Sequence, residues 1–364
     1  MTLLPAVTAF CAIKSPYRLT RRISSMFDRA MRELIAFHYA HTPGYARWLS
    51  ANDFTFERAR ALNDWSQLPP IFARYFKQAL IPSHTAHDAI ELTSPDTPGR
   101  MSPMLFDTRS ISAVQSMVGQ VFCHYGWSTQ HGRHNYILLT YEPHDQLKLW
   151  PAYVGQLLCS FAPVRQIAYA LRRQGEGHTF DVFGVVRALQ EFACDGHPVR
   201  IIGYPALLWL ILEHMRTSGC PPLNLHADSL VFLGGDWKAH AAIDVPKPTL
   251  YRCIREQLGI AADRCRNAYG TLQHPIPYVE CDQHHSHVPV YSRVYIRDPS
   301  TLSRVSYGER GLLHAVSPYI TSSPAHSIVM GDLATLYPGH SCSCGLETDW
   351  FELHEHALAC TSHL

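Results

Sequence analysis

The sequence predicts an α/β protein in which a parallel sheet flanked by helices is followed by a smaller, mostly β lobe. Two observations carry that reading. Short apolar runs ending in turn residues, Tyr136–Thr140, Val199–Ile202 and Leu230–Leu233, alternate with the helical stretches Phe180–Cys194, Pro205–Arg216 and Leu250–Leu258. Such alternation is the pattern of a sheet whose strands are joined by crossover helices. Beyond Tyr278 the texture changes, and β-formers alternate or bunch over Val288–Arg297 and Gly311–Val316 between polar turns. Composition agrees with a folded chain: 46% of the 364 residues are hydrophobic and 17% are charged.

Taken in chain order, the first long element is helical. Between Leu19 and Leu49 the apolar residues Ile23, Met26, Phe27, Ala30, Met31, Leu34 and Ile35 recur at three and four, the helical period. His41-Thr42-Pro43-Gly44 interrupts that pattern, and Pro69-Pro70 marks a second break. The expected organisation is an α/β body over residues 1–277, a β lobe over 278–350 and a C-terminal arm over 351–364.

Charge and cysteine usage exclude several classes. Thirty-one Lys+Arg against 30 Asp+Glu leave a net charge of +1, which gives no footprint for nucleic acid. No apolar run reaches the ~18 residues that span a bilayer. The apolar stretch Leu3–Ile13 is followed, not preceded, by Lys14, Arg18, Arg21 and Arg22, which is the wrong order for a secretory signal. Eleven cysteines, an odd number spread from Cys11 to Cys360, suit reduced thiols and a cytoplasmic location.

Three familiar motifs fail on inspection. Gly175-Glu176-Gly177 opens a dinucleotide fingerprint, but Phe180 stands in place of the third glycine and no strand is expected before it. His354-Glu355-His356 lacks the second zinc-protease histidine, since position 358 is Leu. No G-x-S-x-G elbow occurs.

Two sets of residues carry chemistry. Cys281, His287, Cys342 and Cys344 form C-x5-H followed by C-x-C, and thiolates with an imidazole suit a closed, structural zinc site. His284 and His285 are alternative histidines, and the β lobe offers little apolar core of its own. The second set is an ordered series of turns: Thr93-Ser94-Pro95-Asp96-Thr97-Pro98-Gly99, then Gly234-Gly235-Asp236-Trp237-Lys238, then Tyr269-Gly270-Thr271-Leu272-Gln273, then Gly331-Asp332.

In this order and spacing the series resembles the adenylate-forming superfamily, and within it the acyl-protein synthetases, with phenylacetate–CoA ligases as more distant relatives. The resemblance runs from Ser15-Pro16-Tyr17 through Tyr278-Val279-Glu280-Cys281 and Gly308-Glu309-Arg310-Gly311 to Cys342-Ser343-Cys344-Gly345. It implies the large N-terminal domain of that fold, with the usual C-terminal domain reduced to a short arm. It also implies ATP and Mg²⁺ as co-substrate and metal. Thr93, Ser94, Thr97 and Gly99 would belong to the phosphate loop, Gly234, Gly235, Tyr269 and Gly270 would flank adenine, and Asp332 would accept from the ribose hydroxyls. Lys238, Gln273 and Cys360 are the candidate catalytic residues, Cys360 as the thiol that receives the acyl group. His354, His356 and His363 stand near enough in sequence to lower its pKa. No lysine follows Lys247, which agrees with the superfamily's adenylation lysine residing in the missing domain.

The chain departs from its relatives at two places. Proline at 95 and 98 deletes backbone donors, and Asp96 sets a negative charge beside a polyanion. At ε near 20, two like charges ~4 Å apart repel by roughly 4 kcal/mol. Gln273 stands where a Mg²⁺-holding glutamate is usual. The resemblance therefore implies an acid–thiol ligase whose product passes to a reductase, synthase or acyl carrier protein. An acyltransferase fed by acyl-thioesters and a scaffold subunit are the alternatives.

Overall fold

The computed structural model describes residues 3–78, 82–83, 89–95, 101–235 and 245–356. The chain divides into two units, one comprising Met1–Thr93, Met101–His124 and Thr271–Leu364, the other Ser94–Arg100 and Tyr125–Gly270. This differs from the contiguous segments expected from sequence. The N-terminal helices rejoin the C-terminal β region because long-range hydrogen bonds tie them together. Val290 N–H donates to Pro16 O at 2.7 Å, and strand Ile71–Phe72 pairs in parallel with Ser327–Tyr337, Ile71 opposite Ile328.

In the first unit the helix Arg21–His41 opens at Thr20, whose hydroxyl accepts from Ile23 N–H at 3.1 Å. It buries Phe27, Ala30, Met31, Leu34 and His38 on one face. It ends where Pro43 forces Thr42 out of helical geometry, and Pro43 then starts the helix Pro43–Ala51. The unit's sheet runs Ser286–His287, Trp350–His356, Ser327–Tyr337, Arg310–Val316, Arg293–Arg297, antiparallel throughout, with Ile71–Phe72 added to Ser327–Tyr337. This region is richer in core than its sequence suggested: Leu313, Ala315, Val316, Tyr319, Ile320, Ala325 and Ile328 are all fully buried. Residues 288–292, expected to extend strand Arg293–Arg297, are not strand, because Val288 and Val290 spend their N–H groups on Asp349 O and Pro16 O.

In the second unit parallel strands lie in the order Cys265–Thr271, Leu230–Gly234, Val199–Gly203, His134–Tyr141, Val164–Gln174. One face of this sheet (Ile137, Leu139, Ile201, Val231, Leu233) packs on the helices Val182–Asp195, Pro205–Thr217 and Lys247–Leu258 through Val185, Leu189, Phe192, Leu208, Ile211, Leu212 and Ile254. Asp181 caps the first of these helices by accepting from Gly184 N–H at 2.8 Å, so that helix begins at Val182 and Phe180 closes the strand before it. A strand, Val164–Gln174, does precede Gly175-Glu176-Gly177, contrary to expectation. The dinucleotide reading still fails, because the turn leads into the antiparallel strand Gly177–Phe180 and not into a helix.

Among the described residues no helix is long and apolar enough to cross a membrane.

Candidate functional site

The sheet of the second unit reverses its winding at His134–Tyr141. The next strand, Val164–Gln174, joins it on one side, and the chain then crosses to Val199–Gly203 on the other. In open parallel sheets, ligands bind beyond the carboxyl ends of strands at such a reversal. The backbone there is specialised. Gly203 holds φ +130°, and Tyr204 N–H donates to Leu139 O at 3.0 Å. A Cβ on Gly203 would sit 2.4 Å from Leu139 O.

Four of the adenine-flanking candidates lie on this same edge. Gly203 pairs with Leu233 and Gly234 with Ala268, so Gly234, Gly235, Tyr269 and Gly270 follow one another across adjacent strand ends. Gly235 has φ +94°, and a Cβ there would meet the Tyr204 ring at 2.7 Å. Tyr204 is itself buried and helps shape this edge. Sequence reading passed over it, although Gly-Tyr-Pro directly after an apolar strand is the signal that marks it.

In the first unit Asp332 is half-buried on strand Ser327–Tyr337. Both neighbouring ladders lose register around it: the pairing with Trp350–His356 shifts between Asp332 and Ala334, and that with Arg310–Val316 shifts between Leu312 and His314. Bulges of this kind re-aim side chains and recur beside active sites. Asp332 pairs with His356, the last residue of its strand. Two residues earlier, the His354 ring contacts Thr335 Oγ1 at 2.8 Å. Gln273 is buried in the turn between strands Cys265–Thr271 and His274–Val279. Thr93 and Ser94 are half-buried on strand Ile90–Pro95, which pairs with Met101–Phe106 around positions 96–100. Thr97, Gly99, Lys238 and Cys360 lie outside the described residues.

The cysteine–histidine set does converge. The ligand atoms of Cys281, His287, Cys342 and Cys344 all lie within 4.8 Å of one another. Cys281 Sγ stands 3.7 Å from Cys342 Sγ, and Cys344 Sγ stands 3.3 Å from His287 Nε2. The other ring nitrogen of His287 donates to Thr348 O at 2.8 Å, which fixes the tautomer and leaves Nε2 as the ligating atom. Gln283 N–H points at Cys281 Sγ and Leu346 N–H at Cys344 Sγ, each at 3.4 Å. Burial chiefly, with the neighbouring Cys344 and Cys342 thiols adding to it, pushes the Cys281 thiol up to about 12, and a bound cation is the kind of neighbour that would let it ionise. Of the alternative histidines, His284 faces Glu280 at 3.4 Å, and His285 touches Cys342 without joining the set.

The second unit's parallel sheet, with glycines at its reversal edge, and the first unit's antiparallel sheet, with its bulged Asp, are a fold shared with solved adenylate-forming acid ligases. The structure of 2-hydroxyisobutyryl-CoA ligase with 2-HIB-AMP and CoA in the thioesterification state superimposes with a TM-score of 0.67, at 15% identity, over 94% of this chain and 70% of that one. The same enzyme in the postadenylation state gives 0.66, at 14% identity, over 92% and 67%. More narrowly, the family model for the acyl-protein synthetase LuxE matches residues 14–358, and the chain belongs to that family. The long-chain-fatty-acid–luciferin-component ligase of Aliivibrio fischeri is 21% identical over 324 residues, which is 86% of this chain and 82% of that protein. Family and fold together support ATP-dependent activation of a carboxylic acid as an acyl-adenylate, followed by acyl transfer.

Proposed function

We propose that the chain activates a long-chain fatty acid with ATP and passes the acyl group to its own Cys360. In the first step a carboxylate oxygen attacks the α-phosphorus, the bond to the β-phosphate breaks and pyrophosphate leaves. In the second, the Cys360 thiolate attacks the acyl carbon, the bond to the phosphate oxygen breaks, AMP leaves and a thioester forms. The fatty acid is suggested by the substrate named for the Aliivibrio relative. Gly234, Gly235, Tyr269 and Gly270 take the adenine edge and Asp332 the ribose hydroxyls. Thr93, Ser94, Thr97 and Gly99 would belong to the phosphate loop, as the family resemblance implies, with Lys238 and Gln273 as further catalytic candidates. Mg²⁺ would neutralise charge on the phosphates, where Gln273 offers an amide oxygen. The thioester then serves a reductase, synthase or acyl carrier protein.

One observation carries this reading. The strand Trp350–His356 ends in register with Asp332. Cys360 follows His356 by four residues, a reach of at most about 14 Å in extended chain. That short separation along the chain from a strand paired with the proposed ribose carboxylate supports Cys360 as the acyl acceptor.

Zinc is the ion that best suits Cys281, His287, Cys342 and Cys344. Tetrahedral Zn–S bonds of about 2.3 Å set sulfurs roughly 3.8 Å apart, and Cys281 and Cys342 stand at 3.7 Å. With four protein ligands the site is closed, hence structural. One zinc per purified chain, lost in Cys281→Ser/Cys344→Ser, is the expected elemental analysis.

ATP–pyrophosphate exchange with a panel of fatty and aryl acids tests adenylation. Exchange that depends on a long-chain acid, and falls at least about tenfold in Asp332→Ala as a hydrogen bond to a charged group is lost, is the expected result. No exchange with any acid, together with labelling by acyl-CoA without ATP, would replace this reading with a thioester-fed acyltransferase.

A further inference from the structure

The geometry points to His285 as a positioning residue of the proposed zinc site: its Nδ1–H completes a set in which each of the three cysteine sulfurs receives an N–H donor. The inference rests on the zinc reading and adds to it a residue that the ligand set does not include. Gln283 N–H serves Cys281 and Leu346 N–H serves Cys344, each at 3.4 Å. Cys342 has no such backbone donor among the described hydrogen bonds, and His285 Nδ1 fills the place at 3.2 Å. A zinc-bound Cys342 carries no S–H, so the proton of this contact must sit on the imidazole. The donation has an electrostatic reason: three thiolates and a neutral imidazole around Zn²⁺ leave a net charge of −1 in a largely buried cluster. Each N–H offsets part of the charge on its own sulfur.

The ring is held for this task by a stack of aromatic side chains. His285 stacks on Trp350 with centroids 3.8 Å apart and planes 11° off parallel. Trp350 stacks in turn on Tyr337 at 4.3 Å and donates its indole N–H to Ser341 Oγ at 2.9 Å. The His285 backbone is tied as well, its carbonyl accepting from Cys281 N–H at 3.0 Å. A ring packed only as core would need the stack and not the donor.

Two substitutions separate these roles in the full-length chain. His285→Phe keeps the stack on Trp350 and removes the donor, whereas His285→Asn places an amide N–H where Nδ1 was and gives up the stack. Zinc affinity is read by competition with a chromophoric chelator. The thiolate-to-cobalt charge-transfer band of the Co²⁺-substituted protein reports sulfur electron density, and circular dichroism checks folding. The expected result is one zinc per chain in all three proteins, affinity weakened about 10- to 100-fold in His285→Phe, near-native affinity in His285→Asn, and a charge-transfer band moved to lower energy only in His285→Phe. Native affinity and an unmoved band in His285→Phe would overturn the role of His285 while leaving the zinc site intact. Absence of zinc from the unsubstituted protein would instead sink the zinc reading itself. If His285→Phe fails to fold, the Co²⁺ band of His285→Asn decides: a native position supports the donor, and a shift contradicts it.

Discussion

At Gly203 and Gly235 a single missing Cβ shapes the reversal edge of the parallel sheet. Alanine at 203 would bring a Cβ to 2.4 Å from the Leu139 carbonyl in a backbone of φ +130°, where the strand cannot yield. Gly203→Ala is expected to lower unfolding free energy by about 1–3 kcal/mol, read by urea denaturation. At Gly235 the close neighbour is the Tyr204 ring. Ring displacement there should weaken nucleotide binding more than it lowers stability, and calorimetry with ATP–Mg²⁺ separates the two effects. Equal losses in both would assign Gly235 to folding alone. The Gly234-Gly235 turn was legible in the sequence because glycine has few other uses at a strand end, whereas Tyr269-Gly270, read as a turn, lies inside the strand Cys265–Thr271. Tyr204 was passed over despite its Gly-Tyr-Pro signal, since a buried tyrosine beside a proline looks like ordinary core until its ring is seen against Gly235. Asp96, which lies outside the described residues, carries a prediction from charge alone: Asp96→Thr should tighten ATP binding at least tenfold if like-charge repulsion of the order of a few kcal/mol operates there.

Among the elements, the strands and helices of the second unit were readable because each is decided locally. Apolar runs end at Gly203 and Gly234, and Gly259 in the left-handed region closes the helix Lys247–Leu258. The misread pieces are those decided at long range. Residues 288–292 carry strand-forming side chains, yet their hydrogen bonds go to Asp349 and Pro16. The strand before Gly175 was hidden by its own polarity, since most of Val164–Gln174 is exposed. The cysteine–histidine spacing was visible in sequence, but the choice among His284, His285 and His287 was not, because only the pairing of Ser286–His287 with Trp350–His356 sets His287 opposite Trp350. If the set holds a metal as proposed, that pairing makes it a clasp between two chain segments some 60 residues apart, as the separation of Cys281 from Cys342 shows. Chelation of zinc should therefore lower the melting temperature by several degrees, since ligand binding to the native state is folding free energy. An unchanged melting curve after complete metal removal would deny the clasp.

For the whole molecule, buried neutral histidines govern the response to acid. Burial depresses the His38 imidazole to about 4 and that of His274 to about 3, and holds His314 and His326 well below the ordinary range. Each has its ring engaged: His38 with the Ile320 carbonyl at 2.9 Å, His274 with Tyr278 Oη at 2.7 Å, His314 with the Arg297 guanidinium at 3.0 Å, His326 with Tyr45 Oη at 2.8 Å. The unfolded chain binds protons at these positions from pH 6.5 downward while the folded chain does not. Stability is accordingly complete above about pH 6.5 and falls as pH drops toward 4 and 3. At pH 5 the loss is set by the unfolded value and is about 2 kcal/mol per histidine. Urea midpoints at pH 7.5 and pH 5 check this, with a clearly lower midpoint in acid expected and an equal one contrary. The same scale shows what a linear reading could not supply. The division at 277 and 350 assumed contiguous units, whereas Ile71–Phe72 and the segment around Pro16 belong with the C-terminal sheet.

The central claim is that an acid activated by ATP ends as a thioester on Cys360. Incubation with ATP, Mg²⁺ and a radiolabelled long-chain acid, followed by hydroxylamine, examines it directly. Hydroxylamine-sensitive label on the native protein, lost in Cys360→Ser while acid-dependent pyrophosphate exchange persists, is the predicted result. Undiminished label on Cys360→Ser would contradict the account.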